Sequence, residues 1–254
     1  MRPAIDPTEL GFALDRLDRL DRHLRAYVDD GRLPGWLLSV SRHGQPAYLG
    51  LHGARDREAG APVQEDTIWR IYSMTKPITA VTALALWEQG AFELTDPVSR
   101  FIPAFSEQRV WRGGSTVRPE TDPVTEPMQV WHLLTHTSGL TYGFLHAHPV
   151  DAMYRAAGFE WSHPEGLDLA GICDRLAALP LLFQPGAEWN YGVSSEVLGR
   201  VIEVVTDRPL QEVMHELVLC PLGMDATGWW VPPDRQDRLA ALYVPTPESG
   251  TLVR

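Results

Sequence analysis

A mostly apolar segment, residues 77–90, sets the strongest limit on the fold. Its apolar side chains recur at helical spacing, Pro77 suits a first helical turn, and Gly90 suits the position just after a helix end. A helix that is apolar around most of its circumference is stable only when other elements cover it. The segment therefore predicts a helix buried in a sizeable core. The stripe that we expect to line this core consists of Ile78, Val81, Ala85 and Trp87 or Gln89.

Lys76, directly before this segment, is the only lysine in the sequence, and the other 21 of the 22 basic residues are arginines. Arginine stays protonated in proteins, whereas a partly desolvated lysine can lose its proton. Ser73 lies three residues earlier, and residues three apart share one face of a helix. A nucleophile with an adjacent base at an electropositive helix end is the arrangement that acyl transfer needs. For so short a pattern, an ordinary helix lysine beside an N-cap serine is the alternative.

The composition excludes several classes of partner. The 254 residues are 44% hydrophobic and 22% charged, which is typical of a globular protein of one large domain or two small ones. The net charge of −11, with no basic cluster, argues against nucleic acid and against an anionic membrane surface. No signal peptide or run of 18 apolar residues is present, so we expect a cytoplasmic protein with no membrane partner.

The hydrophobic pattern predicts a helix, a hairpin and then a helical region. We expect a helix near 10–30 and strands at 36–40 and 46–51. We expect a single domain over 1–254, in which 1–70 supplies the first helix and strands and 71–235 a helical region. The further predicted helices are 129–134, 152–159, 167–179, one after Val193 capped by Ser194 or Ser195, and 210–219.

Two other residue patterns have both a functional and a structural interpretation. His132 and His136 are four residues apart, but a metal site needs a third suitable ligand, so capping and loop hydrogen bonds are preferred and no metal is expected. Tyr191 precedes a strongly apolar helix, where a phenol can reach a cleft. Simple packing is the alternative for Tyr191, and the residues by themselves favour it.

Four segments in order resemble the serine β-lactamase-like superfamily, on the branch shared by class C β-lactamases, D,D-peptidases and family VIII carboxylesterases. They are residues 71–79 (IYSMTKPIT), 133–140 (LLTHTSGL), 185–191 (PGAEWNY) and 221–224 (PLGM). The resemblance runs from about residue 10 to the C-terminus. It implies an α+β fold in which an antiparallel sheet is flanked by helices and accompanied by a mostly helical region.

The resemblance also implies roles for three residues. Ser73 would be the acylated nucleophile, with its backbone N–H as half of the oxyanion hole. Lys76 would take or relay the serine proton. Tyr191 would act as partner base and then as acid to the leaving group. The implied substrate is a small ester or a β-lactam, with no cofactor.

The chain departs from the family pattern at two places. Val193 stands where lactamases and peptidases usually have Asn, which disfavours β-lactam hydrolysis and resembles the esterase branch. The third motif, a Lys-Thr-Gly-like or Trp-Gly-Gly-like strand segment, is missing. The family continues well beyond this length, so we expect the chain to lack three strands of a five-stranded sheet, the last helix and the second oxyanion N–H.

Three hypotheses stay open. The first is a serine hydrolase that cleaves small carboxylic esters, and the second is a β-lactamase or D,D-peptidase. The third is a catalytically incomplete fragment or binding module on the same scaffold. An α/β-hydrolase is disfavoured, because the sequence contains no Gly-x-Ser-x-Gly elbow.

Overall fold

The computed structural model describes residues 6–161, 163–246 and 252–254. They form an α+β structure of helices and small antiparallel sheets, which confirms the predicted class. The chain divides into two compact units, Met1–Ile71 with Trp230–Arg254, and Tyr72–Trp229. The helices are α1 (Leu14–Asp29), α2 (Thr75–Glu88), α3 (Val130–Leu134), α4 (Pro149–Ala156), α5 (Leu169–Ala177), α6 (Ser194–Thr206) and α7 (Leu210–Met214). The strands are β1 (Gly35–Arg42), β2 (Gln45–Asp56), β3 (Ala61–Pro62), β4 (Arg109–Gly114), β5 (Pro119–Pro123), β6 (Val244–Pro245) and β7 (Leu252–Val253).

The first unit contains the predicted helix and hairpin. Helix α1 ends before Gly31, whose φ of +83° is the left-handed conformation that suits glycine after a helix. Strands β1 and β2 pair antiparallel from Gly35 opposite Gly53, with a bulge after Val40, and β3 extends the sheet to order β1-β2-β3. The Tyr48 phenol on β2 donates a hydrogen bond of 2.7 Å to the Asp21 carboxylate on α1, which ties the helix to the sheet.

The second unit is built around one continuous hydrophobic core. Helix α6 lies at its centre, and α2, α3 and α5 pack against it. Four apolar side chains of α6 are at most 2% exposed: Val197, Leu198, Val201 and Ile202. None of the described helices is both long enough and apolar enough to cross a membrane.

The predicted core stripe of α2 is correct at Ile78, which packs against the core, and wrong at most of its other positions. The side chains that the helix buries are Thr79, Thr82, Ala83 and Leu86. Val81 and Trp87, which we expected in the core, are 50% and 39% exposed. The Thr79 and Thr82 hydroxyls donate to backbone carbonyls one turn earlier, at 3.2 and 2.9 Å, so their polar atoms are satisfied in the core. A hydropathy pattern assigns such threonines to the surface.

Two further expectations need correction. Ser194 and Ser195 do not cap α6 through their side chains, because Ser194 lies inside the core and its hydroxyl is 2.8 Å from that of Ser138. No strand is predicted over 109–123, yet the structure contains the β4–β5 hairpin there. Its exposed, mostly polar strands lack the apolar alternation by which a strand is recognised.

Candidate active site

Ser73 lies in a tight turn, Tyr72–Met74, immediately before α2. Tyr72 has a φ of +42°, a left-handed conformation that costs a non-glycine residue about 1–3 kcal/mol and that clusters at functional sites. Lys76 follows in the first turn of α2, and its Nζ donates a hydrogen bond of 3.2 Å to Ser73 Oγ. The structure therefore brings together the serine and the lysine that the sequence paired.

Tyr191 reaches the same serine from the segment before α6. Its phenol donates a hydrogen bond of 2.6 Å to Ser73 Oγ, across 118 residues of sequence. The neighbouring Asn190 amide donates to the Leu140 carbonyl at 3.1 Å, which anchors the segment. Gly192 fits a close approach, because a side chain there would come within 2.4 Å of the same carbonyl oxygen. The three sequence-predicted site residues thus form one cluster.

The ammonium group of Lys76 lies between two aromatic rings. Its Nζ is 4.9 Å from the ring centroid of Tyr191 and 5.5 Å from that of Tyr142. Burial raises the pKa of the Tyr191 phenol, but interactions with Lys76 and the hydrogen bond to Ser73 outweigh it and hold that pKa below its ordinary value. The cluster therefore favours loss of the Tyr191 proton.

Sequence reasoning missed two residues beside the cluster, Tyr142 and Glu196. The half-buried Tyr142 phenol donates a hydrogen bond of 2.9 Å to Oε1 of Glu196, in the first turn of α6. Burial, and then the neighbouring carboxylate, raise the pKa of Tyr142, and burial also raises the pKa of Glu196. The available signal was an acidic residue, five positions after Tyr191, on a helix that is otherwise strongly apolar toward the core.

Of the two histidines, His132 makes a capping hydrogen bond and His136 packs against aromatic rings. His132 Nδ1 accepts the backbone N–H of Gln129 at 2.9 Å, which confirms the predicted capping role. The His136 ring lies 5.2 Å from the Tyr191 ring, and burial, then the Lys76 charge, lower the pKa of His136. Among the residues that the structure describes, no group of three or more His, Cys, Asp or Glu side chains has the geometry of a metal site.

A cavity of about 800 Å³ opens beside the cluster. Ser73, Lys76 and Tyr191 line one part of it, and the other walls are largely apolar. A pocket of this size, mostly apolar with a few convergent polar groups, is typical of a small-molecule site. Apolar side chains in its wall include Phe159, Leu167, Ile172, Leu176 and Leu210.

The helical unit with its serine–lysine–tyrosine cluster and the small antiparallel sheets define a β-lactamase-like α+β protein. A solved class C β-lactamase shares this fold, with a TM-score of 0.69 at 19% identity over 100% of this chain and 59% of that chain. The chain belongs to the β-lactamase family, whose family model, described as Beta-lactamase, matches residues 20–253. The predicted superfamily is therefore confirmed.

Several relatives are named as esterases or acyltransferases. Esterase EstB of Burkholderia gladioli is 37% identical over 235 residues, which cover 89% of this chain and 55% of the esterase. The ML-236A carboxylate methylbutanoyltransferase of Penicillium citrinum is 33% identical over 236 residues, covering 88% of this chain and 54% of that enzyme. The solved structure of EstCE1, a hydrolase with promiscuous acyltransferase activity, has a TM-score of 0.81 and 30% identity, covering 98% of this chain and 60% of that one. The chain spans about half the length of the curated relatives it matches.

Proposed function

We propose that this chain carries the acyl-transfer centre of a serine hydrolase that cleaves small carboxylic esters through an acyl-enzyme on Ser73. The observation that carries the proposal is the convergence of Lys76 Nζ and the Tyr191 phenol on Ser73 Oγ, at 3.2 and 2.6 Å. A serine with two adjacent proton-handling groups is activated as a nucleophile. The likeness to an esterase and to an acyltransferase, each covering most of this chain, supports esters as substrates.

In the proposed reaction, Ser73 Oγ bonds to the ester carbonyl carbon and passes its proton to the Tyr191 phenolate. The tetrahedral intermediate then collapses, the bond to the alcohol oxygen breaks, and the phenol returns the proton to that oxygen. Water repeats the cycle on the acyl-enzyme and releases the acid. Lys76 takes the proton that Tyr191 loses when the phenolate forms, and the resulting ammonium lies beside the developing oxyanion.

The proposed oxyanion donor is the backbone N–H of Ser73, at the N-terminal end of α2. One such donor is worth roughly 10²–10³ in rate. Among the residues that the structure describes, we assign no second donor. We therefore expect activity of this chain to lie below that of a site with both donors by about that factor.

A second candidate function is transfer of the acyl group to an alcohol other than water. The observation in its favour is the volume of the cavity, about 800 Å³ with largely apolar walls, which leaves room for an acceptor beside a small acyl group. Adding 1-butanol to an ester assay separates the two functions. Formation of the butyl ester faster than the free acid favours transfer, and unchanged acid release favours hydrolysis.

The test of the main proposal is hydrolysis of p-nitrophenyl butanoate by the wild type, Ser73→Ala and Ser195→Ala. Ser195 is a matched control, since it lines the same cavity from the first turn of α6. We expect Ser73→Ala to lose all activity above background and Ser195→Ala to keep it. Equal activity in Ser73→Ala would contradict the proposal. No turnover by folded wild type would favour the binding-module hypothesis.

β-Lactam hydrolysis is tested in parallel with a chromogenic cephalosporin. Val193, two residues after Tyr191, is 5% exposed and presents an apolar side chain at this position. We therefore expect slower turnover of the cephalosporin than of the butanoate ester. A faster reaction with the cephalosporin would replace the esterase proposal with a lactamase.

A further inference from the structure

Glu196 is a half-buried acid next to the proposed centre that the reaction does not use. Three glutamates line the cavity. Of these, Glu203 pairs with Arg200 at 3.1 Å and accepts from the backbone N–H of Leu210 at 3.2 Å. The Glu196 carboxylate instead accepts a hydrogen bond of 2.9 Å from the Tyr142 phenol, which lies beside the reaction centre. The two acids stand seven residues apart on α6, so they share one helix face and offer a matched comparison.

The Tyr142 ring is packed between the proposed proton-handling groups and the cavity. Its centroid lies 5.5 Å from Lys76 Nζ and 5.4 Å from the Tyr191 ring. On another side it stacks on Phe144 at 4.9 Å, with 21° between the ring planes. The bond to Glu196 fixes the hydroxyl end of the ring, so it also fixes the surface against which Lys76 and Tyr191 pack.

The other oxygen of Glu196 has no hydrogen-bond partner. Oε2 is buried and accepts no hydrogen bond from the described residues. A buried polar oxygen without a partner is costly, and a buried carboxylate acts over a longer range than an exposed one because the dielectric constant around it is low. The Lys76 charge opposes the effect of burial on the pKa of Glu196, so the two groups sense each other. A buried oxygen that stays without a hydrogen bond next to a reaction centre indicates a role in that centre.

We infer that Glu196 is a positioning residue for Ser73 chemistry, which holds the Tyr142 ring in place and sets the electrostatic field at Tyr191. It contacts neither Ser73 nor the reacting atoms, and its catalytic consequence rests on the proposed function. The titratable and charged groups that face it are Lys76 on α2, Tyr142, His163, Cys173 on α5, Tyr191, and Arg200 and Glu203 on α6.

The first test needs no enzymatic activity. In protein labelled with ¹³C at the tyrosine Cζ carbon, the Tyr191 signal is assigned with Tyr191→Phe and followed by NMR from pH 7 to 11. The Glu196 carboxylate opposes formation of the Tyr191 phenolate. Glu196→Gln keeps an acceptor for Tyr142 but removes this charge, so we expect the Tyr191 midpoint to fall. Glu203→Gln should leave it in place. An unchanged midpoint in folded Glu196→Gln would overturn the inference.

The second test measures the rate at which a fluorophosphonate labels Ser73, normalised to folded protein. At a pH above the Tyr191 midpoint of each variant, where the phenolate population no longer differs, we expect Glu196→Leu and Tyr142→Phe each to lower this rate about tenfold. The control Glu212→Leu, at an exposed position on α7 outside the cavity, should leave it within twofold. The double variant Glu196→Leu/Tyr142→Phe should be no slower than the slower single variant, because both changes remove the same hydrogen bond. Losses that multiply, or no loss in either single variant, would overturn the inference.

The two tests separate this inference from the proposed function. A wild type that is never labelled contradicts the proposed function, while the Tyr191 titration still decides whether Glu196 acts on the cluster. Normal labelling of the wild type, with an unchanged Tyr191 midpoint in Glu196→Gln, supports the proposed function and contradicts the positioning role of Glu196.

Discussion

Helices α2 and α6 supply the two sides of the candidate active site, and they are buried in different ways. Helix α6, which Tyr191 precedes, has Val201 and Ile202 fully enclosed. Helix α2, which follows Ser73, leaves Val81 and Trp87 about half exposed and packs through threonines instead. The tyrosine side of the site therefore depends on core packing, and the serine side depends on the local turn and the first helical residues.

The largest effect that we expect is a loss of hydrolysis rate on substitution of Lys76, at the start of α2. Lys76→Arg keeps the positive charge but removes a group that can exchange a proton, and it replaces a compact ammonium with a planar guanidinium. We expect the hydrolysis rate to fall about 10²–10⁴-fold, the usual worth of general acid–base help. Steady-state kinetics on the butanoate ester measure it.

The matched control is Arg200→Lys, the reverse exchange in a half-buried ion pair on α6. This variant should keep its rate within about twofold. Full activity of Lys76→Arg would show that the lysine proton plays no part in the reaction. Tyr191 would then be the only proposed proton-transfer group.

The next effect tests the packing of α6. Ile202 is 0% exposed, so Ile202→Ala should lower the free energy of unfolding by about 2–5 kcal/mol. Val204, on the same helix, is 38% exposed, and Val204→Ala should cost less than about 1 kcal/mol. Urea unfolding followed by circular dichroism measures both. Equal costs at the two positions would mean that the core does not centre on this helix.

The pH dependence tests the cluster between the two helices. Because the pKa of Tyr191 is held below its ordinary value, its deprotonated form gains population at lower pH than in a free phenol. Labelling of Ser73 should therefore accelerate as pH rises, with an apparent midpoint below about 10. The Tyr191→Phe variant should lose the rise, and a wild-type rate that falls between pH 6 and 9 would refute the proposed base.

The smallest effect concerns the exposed face of α2. Val81 is 50% exposed, so Val81→Ser should change the free energy of unfolding by no more than about 0.5 kcal/mol. It should also leave the labelling rate of Ser73 unchanged. A loss above about 1 kcal/mol would show that this face is covered in solution and would remove the contrast with α6.

Local signals predicted the secondary structure well where apolar residues and glycine breakers coincide. Gly31 and Gly90 follow the ends of α1 and α2, both with positive φ. The apolar side chains of α6 also lie in the core as expected. The hydropathy pattern gave wrong predictions of burial where polar side chains form hydrogen bonds inside the core. Thr79 and Thr82 bond to carbonyls of their own helix, and Ser194 bonds to Ser138.

The candidate site was predictable in part. The spacing of Ser73 and Lys76 follows from helix geometry, so their contact could be read from the sequence. Tyr191 lies 118 residues further on, and its contact with Ser73 depends on tertiary packing that only the family resemblance anticipated. The Tyr142–Glu196 bond joins two residues that no motif links, and it became visible only in the structure.

The most direct test of the central claim is the intact mass of the protein after exposure to a fluorophosphonate, with Ser73→Ala and Ser195→Ala alongside. A single adduct on the wild type and on Ser195→Ala, and none on Ser73→Ala, is the result that an activated Ser73 predicts. An adduct that persists on Ser73→Ala would place the nucleophile elsewhere. The absence of any adduct on folded wild type would contradict the claim that this chain assembles an acyl-transfer centre.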